Sequence, residues 1–177
     1  MIILINGSFG VGKSTVAQLL QRQLLNSRIY DPEIAGSILM RLPRWIKLRG
    51  AGTDDFQDID LWRKSVAAGI RLSRIVNSGP IIVPMTFDRH DYLNEISHAI
   101  RRFDPDLRIF CLRATLETIH HRLRQRGDLT GPGAEWVLRR SRECTIAHVD
   151  PTFGRPVDTE ASSAEQVVAT LLEYLDT

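Results

Sequence analysis

Ile2-Ile3-Leu4-Ile5-Asn6-Gly7-Ser8-Phe9-Gly10-Val11-Gly12-Lys13-Ser14-Thr15 opens the chain, and its reading decides the fold. Four apolar β-formers in succession predict a strand buried on both faces. Gly7 to Ser14 then spell G-x-x-x-x-G-K-S and run into the helical pattern Val16-Ala17-Leu19-Leu20. Strand, loop and helix in that order form the context in which this motif binds phosphate. Glycines let the backbone turn its N–H groups inward, so that the loop and the positive end of the helix cradle an anion. The loop Gly7, Ser8, Phe9, Gly10, Val11, Gly12, Lys13, Ser14 and Thr15 is therefore the expected nucleotide-binding segment. Lys13 is expected on the β/γ-phosphates of ATP and the Ser14 hydroxyl on Mg²⁺.

Outward from the loop, the pattern alternates strand and helix. The first helix is expected over about 12–25. Arg28 to Glu33 reads as a short strand ended by Asp31-Pro32, because the residue before proline is driven to extended geometry. Residues 35–78 are helical and irregular, with Trp45, Phe56 and Trp62, and read as a substrate-binding insertion. The rival reading for each aromatic is core. Pro80 to Thr86 is the third strand, where pairing should stop at Pro84, which has no N–H to donate. A helix over 92–103, a strand over 107–112 and a helix capped by Thr115 follow. Gly127 to Gly133 is turn-rich and predicts a mobile lid tip, with a returning helix over 134–148. Arg155 to Thr159 reads as a fifth strand. The last helix ends at Leu175, and Ser163 with Gln166 predicts a capping box at its start.

Alternation of this kind predicts an α/β fold with a parallel sheet covered on both faces. At 177 residues one domain is expected, with its core over 1–34, 79–121 and 149–177, the insertion over 35–78 and the lid over 122–148. Apolar residues at 43% and charged residues at 25% are ordinary for a globular protein. A net charge of +2 does not argue for nucleic acid. No apolar run is long enough to span a membrane and nothing indicates membrane association. Met1 leads straight into the first strand, so the cytoplasm is the expected location. Cys111 and Cys144 are expected as reduced, structural thiols.

Candidate chemistry gathers at the predicted carboxyl ends of strands, where open parallel sheets bind ligands. Asp31 is the expected general base and second metal contact, with Glu33 and Asp88 behind it. A turn-forming role before Pro32 is its rival. Thr86 and Phe87 stand where many phosphate-loop enzymes place a metal-holding aspartate. Residues 113–142 hold seven arginines against three acids. Arg122 and Arg126, four apart, share a helix face and are expected on the triphosphate. Arg139, Arg140 and Arg142 are expected to close from the other side of the lid. A solvated basic face is the alternative.

A phosphate loop after strand one, a helical insertion after strand two and an Arg-rich lid after strand four resemble the nucleoside-monophosphate-kinase branch of the P-loop NTPase fold. That resemblance implies a five-stranded parallel sheet in the order 2-3-1-4-5. More specific stretches resemble the tunicamycin-resistance protein family: Ile5-Asn6-Gly7-Ser8-Phe9-Gly10-Val11-Gly12-Lys13, Tyr30-Asp31-Pro32-Glu33, Asp54-Asp55-Phe56-Gln57 with Leu61-Trp62-Arg63, Ile82-Val83-Pro84-Met85-Thr86, Tyr92-Leu93-Asn94-Glu95-Ile96 and Arg122-Leu123-Arg124-Gln125-Arg126. The likeness covers about the first 126 residues and departs around Leu48 to Gly52. It implies an ATP- and Mg²⁺-dependent phosphotransferase acting on a hydroxyl of a small molecule such as tunicamycin. It also implies a substrate pocket drawn from Asp31, Glu33, Phe56, Trp62, Arg63, Thr86, Phe87, Arg139 and Arg142. The alternatives are an ATP-binding protein that sequesters the drug, and a housekeeping kinase of a sugar, nucleoside or shikimate-like metabolite.

Overall fold

In the computed structural model, residues 1–32 and 58–176 are described. Five parallel strands form one sheet in the order β2-β3-β1-β4-β5: β1 (Ile2–Gly7), β2 (Arg28–Ile29), β3 (Ile81–Pro84), β4 (Leu107–Arg113) and β5 (Arg155–Asp158). The helices between them are α1 (Lys13–Gln23), α2 (Asp60–Val76), α3 (His90–Arg101), α4 (Leu116–Arg126), α5 (Ala134–Ala147) and α6 (Ala164–Leu175). The order implied by resemblance is the order observed. Among the described residues no helix is long and apolar enough to cross a membrane.

β1 lies at the centre, and every one of its residues is buried. Its alternate side chains feed two cores. Ile2 and Leu4 join Trp62, Val66 and Ile70 of α2 and Leu93, Ile96 and Ile100 of α3 on one face. Ile3 and Ile5 join Val16, Ala17 and Leu20 of α1 and Val167, Val168 and Leu171 of α6 on the other. A continuous apolar run is what a strand covered on both faces requires. Helix ends follow local chemistry. Thr115 accepts from the Thr118 N–H at the start of α4, Gly127 closes that helix at φ 80°, and Ser163 with Gln166 forms the expected capping box on α6.

One expectation at the sheet edge is corrected and another holds. β2 holds only two residues rather than running to Glu33, although Tyr30 still donates to the Ile82 carbonyl at 2.9 Å. β3 ends at Pro84 as expected, its last pair with β1 closed by the Met85 N–H donating to the Ile5 carbonyl at 3.0 Å. In a parallel strand each residue directs both backbone groups to one side, alternating along the chain. Val83 and Met85 serve β1. Ile82 and Pro84 face β2, which has already ended, so the missing N–H costs the ladder nothing. Cys111 and Cys144 are buried free thiols, and desolvation pushes Cys111 up to about 11, out of reactive range.

Candidate nucleotide-binding and acceptor site

The loop between β1 and α1 has the backbone that phosphate binding demands. Gly10 sits at φ 77°, and a Cβ there would lie 2.8 Å from the Leu123 side chain and 3.1 Å from the Ile119 carbonyl of α4. Gly12, at φ 104°, is the residue from which α1 starts, so the first amides of that helix open onto the loop. The Lys13 ammonium donates to the carbonyls of Gly7 and Ser8, both at 3.0 Å, and stands 5.6 Å from the centre of the Phe9 ring. Ser14 and Thr15 are exposed on the first turn of α1.

Asn6, fully buried, organises this end of the sheet and was not singled out by sequence reasoning. Its side-chain oxygen accepts from the N–H of Gly7 at 2.8 Å and of Phe87 at 2.9 Å, and its amide donates to the Phe153 carbonyl at 3.3 Å. One side chain thus ties the phosphate loop to the segment after β3. The signal was there: a lone amide at the end of an otherwise apolar strand. Asn6→Leu leaves three buried backbone groups unpaired and is expected to lower stability by at least about 2 kcal/mol. Urea unfolding checks this.

Thr86, Phe87 and Asp88 follow β3. Phe87 is fully buried in the core shared by α2 and α3, and Trp62 is buried in that same core, donating its indole N–H to the Pro32 carbonyl at 3.3 Å. Both were expected to line the substrate pocket. Both side chains lie in the core, the rival reading for Trp62, where α2 packs its apolar face against the sheet. Thr86 is buried as well. Arg63 is buried too, donates to Glu95 at 2.6 Å and lies 4.3 Å from the centre of the Tyr92 ring. Asp31 is half-buried just past the end of β2. Glu33, Phe56 and Trp45 lie outside the described residues, as does most of the 35–78 insertion.

The arginines divide between two tasks. Arg122 donates to the Thr159 carbonyl at 2.6 Å and to its hydroxyl at 3.1 Å. Together with Gly12, Thr15, Ser162 and Ala164 these two residues line a cleft of about 230 Å³ beside the loop. Arg126 pairs with Asp128, Arg139 with Glu143 at 3.5 Å, and Arg142 is exposed. Arg140 does not join a phosphate-facing cluster. It is buried, grips Asp88 through two bonds of 2.6 and 3.0 Å and reaches Glu143 at 2.9 Å. This pair, with Ser8 donating to the Ser141 carbonyl at 3.2 Å and Phe9 edge-on to Trp136 at 5.4 Å, fastens α5 onto the phosphate loop and the end of β3.

His148, for which the sequence offered no signal, is buried just after α5 and donates through Nε2 to the Phe87 carbonyl at 2.6 Å. A carbonyl can only accept, so the neutral ring carries its proton on Nε2. Desolvation lowers its pKa from 6.5 to about 4; the Phe87 bond opposes that, while Lys13 and Arg113 add to it. Above about pH 6.5 the ring is neutral folded or unfolded, and stability is whole. Below that the unfolded chain takes up a proton that the folded one refuses, so stability falls between pH 6.5 and about 4. The loss should reach roughly 3 kcal/mol. Denaturant midpoints across this range should flatten in His148→Gln.

Among the described residues no group of three or more His, Cys, Asp or Glu is placed to hold a metal ion. A single hydroxyl such as that of Ser14 suits Mg²⁺ instead, which keeps waters and shares its ligands with substrate phosphates.

Comparison with known proteins agrees with this geometry. No curated protein matches the sequence. Among solved structures, a tunicamycin resistance protein from Deinococcus radiodurans is 23% identical, with a TM-score of 0.74 over 99% of this chain and 95% of that one. A sugar kinase from Janibacter sp. HTCC2649 is 19% identical, TM-score 0.67, covering 99% and 94%. A shikimate kinase from Acinetobacter baumannii, in complex with shikimate, is 15% identical, TM-score 0.65, covering 98% and 92%. At such identities the likeness establishes a P-loop kinase-like fold and nothing finer. The profile of the AAA domain family matches residues 2–143, which carry the phosphate loop, the strands on both sides of it and most of the lid. On that match over most of its length, the chain belongs to the AAA domain family.

Proposed function

We propose that this protein transfers the γ-phosphoryl group of ATP to a hydroxyl of a small molecule, and that tunicamycin or a related nucleoside compound is the acceptor. The observation that carries the reading is the loop Gly7–Ser14, with positive-φ glycines at 10 and 12 and Lys13 turned inward at the start of α1. The kinase-like relatives and the stretches resembling tunicamycin-resistance proteins support it.

In this reading the loop amides and Lys13 hold the phosphates, with Lys13 exchanging the Gly7 and Ser8 carbonyls for phosphate oxygens. The cleft between Arg122 and Thr159 receives the far end of the nucleotide. Ser14 would hold Mg²⁺, which supplies charge neutralisation on the phosphates. Asp31 accepts the acceptor's proton as its oxygen bonds to the γ-phosphorus and the bond to the β–γ bridging oxygen breaks, releasing ADP. Arg126, Arg139 and Arg142 are the remaining candidates to meet the transferring group. The acids they pair with, Asp128 and Glu143, are partly exposed, and such pairs are weak enough to exchange.

Purified protein with ATP, Mg²⁺ and tunicamycin, followed by mass spectrometry, tests the proposal. A drug heavier by one phosphoryl group, formed together with ADP, is expected. Saturable binding with the drug unmodified would instead make the protein a sequestering one. With neither binding nor modification, sugars, nucleosides and shikimate-like acids become the acceptors to try.

A further inference from the structure

At the end of α2 farthest from the phosphate loop, the molecule exposes apolar side chains that nothing among the described residues covers. Leu72, Ile75 and Val76 on the last two turns of α2 are joined by Leu25 just after α1, all between 63% and 88% exposed. The two segments are neighbours, since Val76, Asn77 and Ser78 line one surface cleft with Asn26, Ser27 and Arg28. Leu72 and Ile75 also border a groove of about 590 Å³ between α2 and α3, floored by Ala67, Ala68, Ala99 and Phe103.

The charges around the patch have one sign. Arg71 and Arg102 line the groove and Arg28 lines the cleft, and among the described residues no acid lines either depression. Among the described residues, none of these three arginines has an ion-pair partner. Asp104, at the same end of the sheet, is buried and already held by Arg74 at 2.9 Å and the amino terminus at 3.4 Å. Protruding leucine and isoleucine flanked by unpaired arginines, with no counter-charge, match a surface that is apolar within and anionic at its boundary. A second copy of the chain is a poorer match, because a symmetric contact would set the same arginines against each other.

We infer that this face docks onto anionic lipid bilayers, with Leu25, Leu72, Ile75 and Val76 entering the interface and Arg28, Arg71 and Arg102 meeting the headgroups. The chain then binds peripherally. The patch sits by the amino ends of β2 and β3, the opposite end from the phosphate loop, so docking leaves the candidate site open to solvent.

Co-sedimentation of the full chain with vesicles tests the inference. Vesicles of equal phosphatidylglycerol and phosphatidylcholine should bind at least tenfold more tightly than pure phosphatidylcholine at low salt, and binding should fall as salt rises. Arg71→Glu with Arg102→Glu should weaken binding tenfold or more. Leu72→Ser with Ile75→Ser should do the same without changing the salt dependence. Leu25→Ser, at a side chain almost wholly in water, repeats the apolar test if the helix variant misfolds. ATP binding should be unchanged in all of them. No binding to anionic vesicles, equal binding to neutral ones, or binding that survives both the apolar and the arginine replacements would overturn the inference. So would sedimentation equilibrium showing a dimer that Leu72→Ser with Ile75→Ser dissociates.

Discussion

Lys13→Ala is expected to reduce phosphoryl transfer by at least about 100-fold and to leave the protein folded. A preorganised cation aimed at developing phosphate charge is worth that much or more when removed. In the absence of nucleotide the Lys13 ammonium satisfies the Gly7 and Ser8 carbonyls and faces Phe9, contacts that a neutral replacement loses at modest cost. Its loss should therefore appear in turnover and ATP affinity far more than in unfolding. Steady-state ADP release, with thermal denaturation of both proteins as control, checks this. Near wild-type turnover in Lys13→Ala would remove the phosphate loop from the mechanism. The same variant losing both fold and activity would mean instead that Lys13 is structural.

Arg140→Met should produce the largest change in stability. The guanidinium is buried between Asp88 and Glu143, and its removal strands a mostly buried Asp88 carboxylate without its two-bonded partner. Breaking one side of such a pair costs about 3 kcal/mol or more, equivalent to a melting temperature lower by roughly 6–12 °C at this chain length. Asp88→Leu together with Arg140→Met should recover much of the loss, because paired apolar replacement avoids the stranded charge. A double-mutant cycle in urea measures the coupling directly. Additive losses would show that the pair contributes nothing jointly. Trp136 offers a second readout, since it packs against Phe9 and should report α5 separating from the phosphate loop before the sheet unfolds.

The same pair shows why the arginine cluster resisted reading. Arg139, Arg140 and Arg142 stand in one short stretch, and local spacing treats them alike. In the fold, Arg139 pairs on the surface, Arg142 is exposed and Arg140 is buried against Asp88, 52 positions away. Nothing in the helical repeat encodes that distance. Trp62 was legible as a large aromatic in the helical insertion and Phe87 as one at the end of the third strand. Whether such a ring lines a pocket or fills the core depends on what α2 packs against, which no local pattern contains.

What the sequence determined by itself was local or periodic. The apolar run Ile2–Ile5, the glycines of the loop, the cap at Thr115, the capping box at Ser163 and the turn at Gly127 act through neighbours within a few residues. For that reason the strand–loop–helix unit and the alternation of elements could be read in order. Tertiary structure alone decided the long-range matters. Asn6 holds the backbone of Phe87, 81 residues away, His148 is stripped of water by segments distant in the chain, and Arg122 is committed to Thr159. It also decided that Leu72, Ile75 and Val76 face water rather than the core. Each of these depends on burial and on partners brought together by the sheet order, and free energies of desolvation have no counterpart in the spacing of residues along a chain.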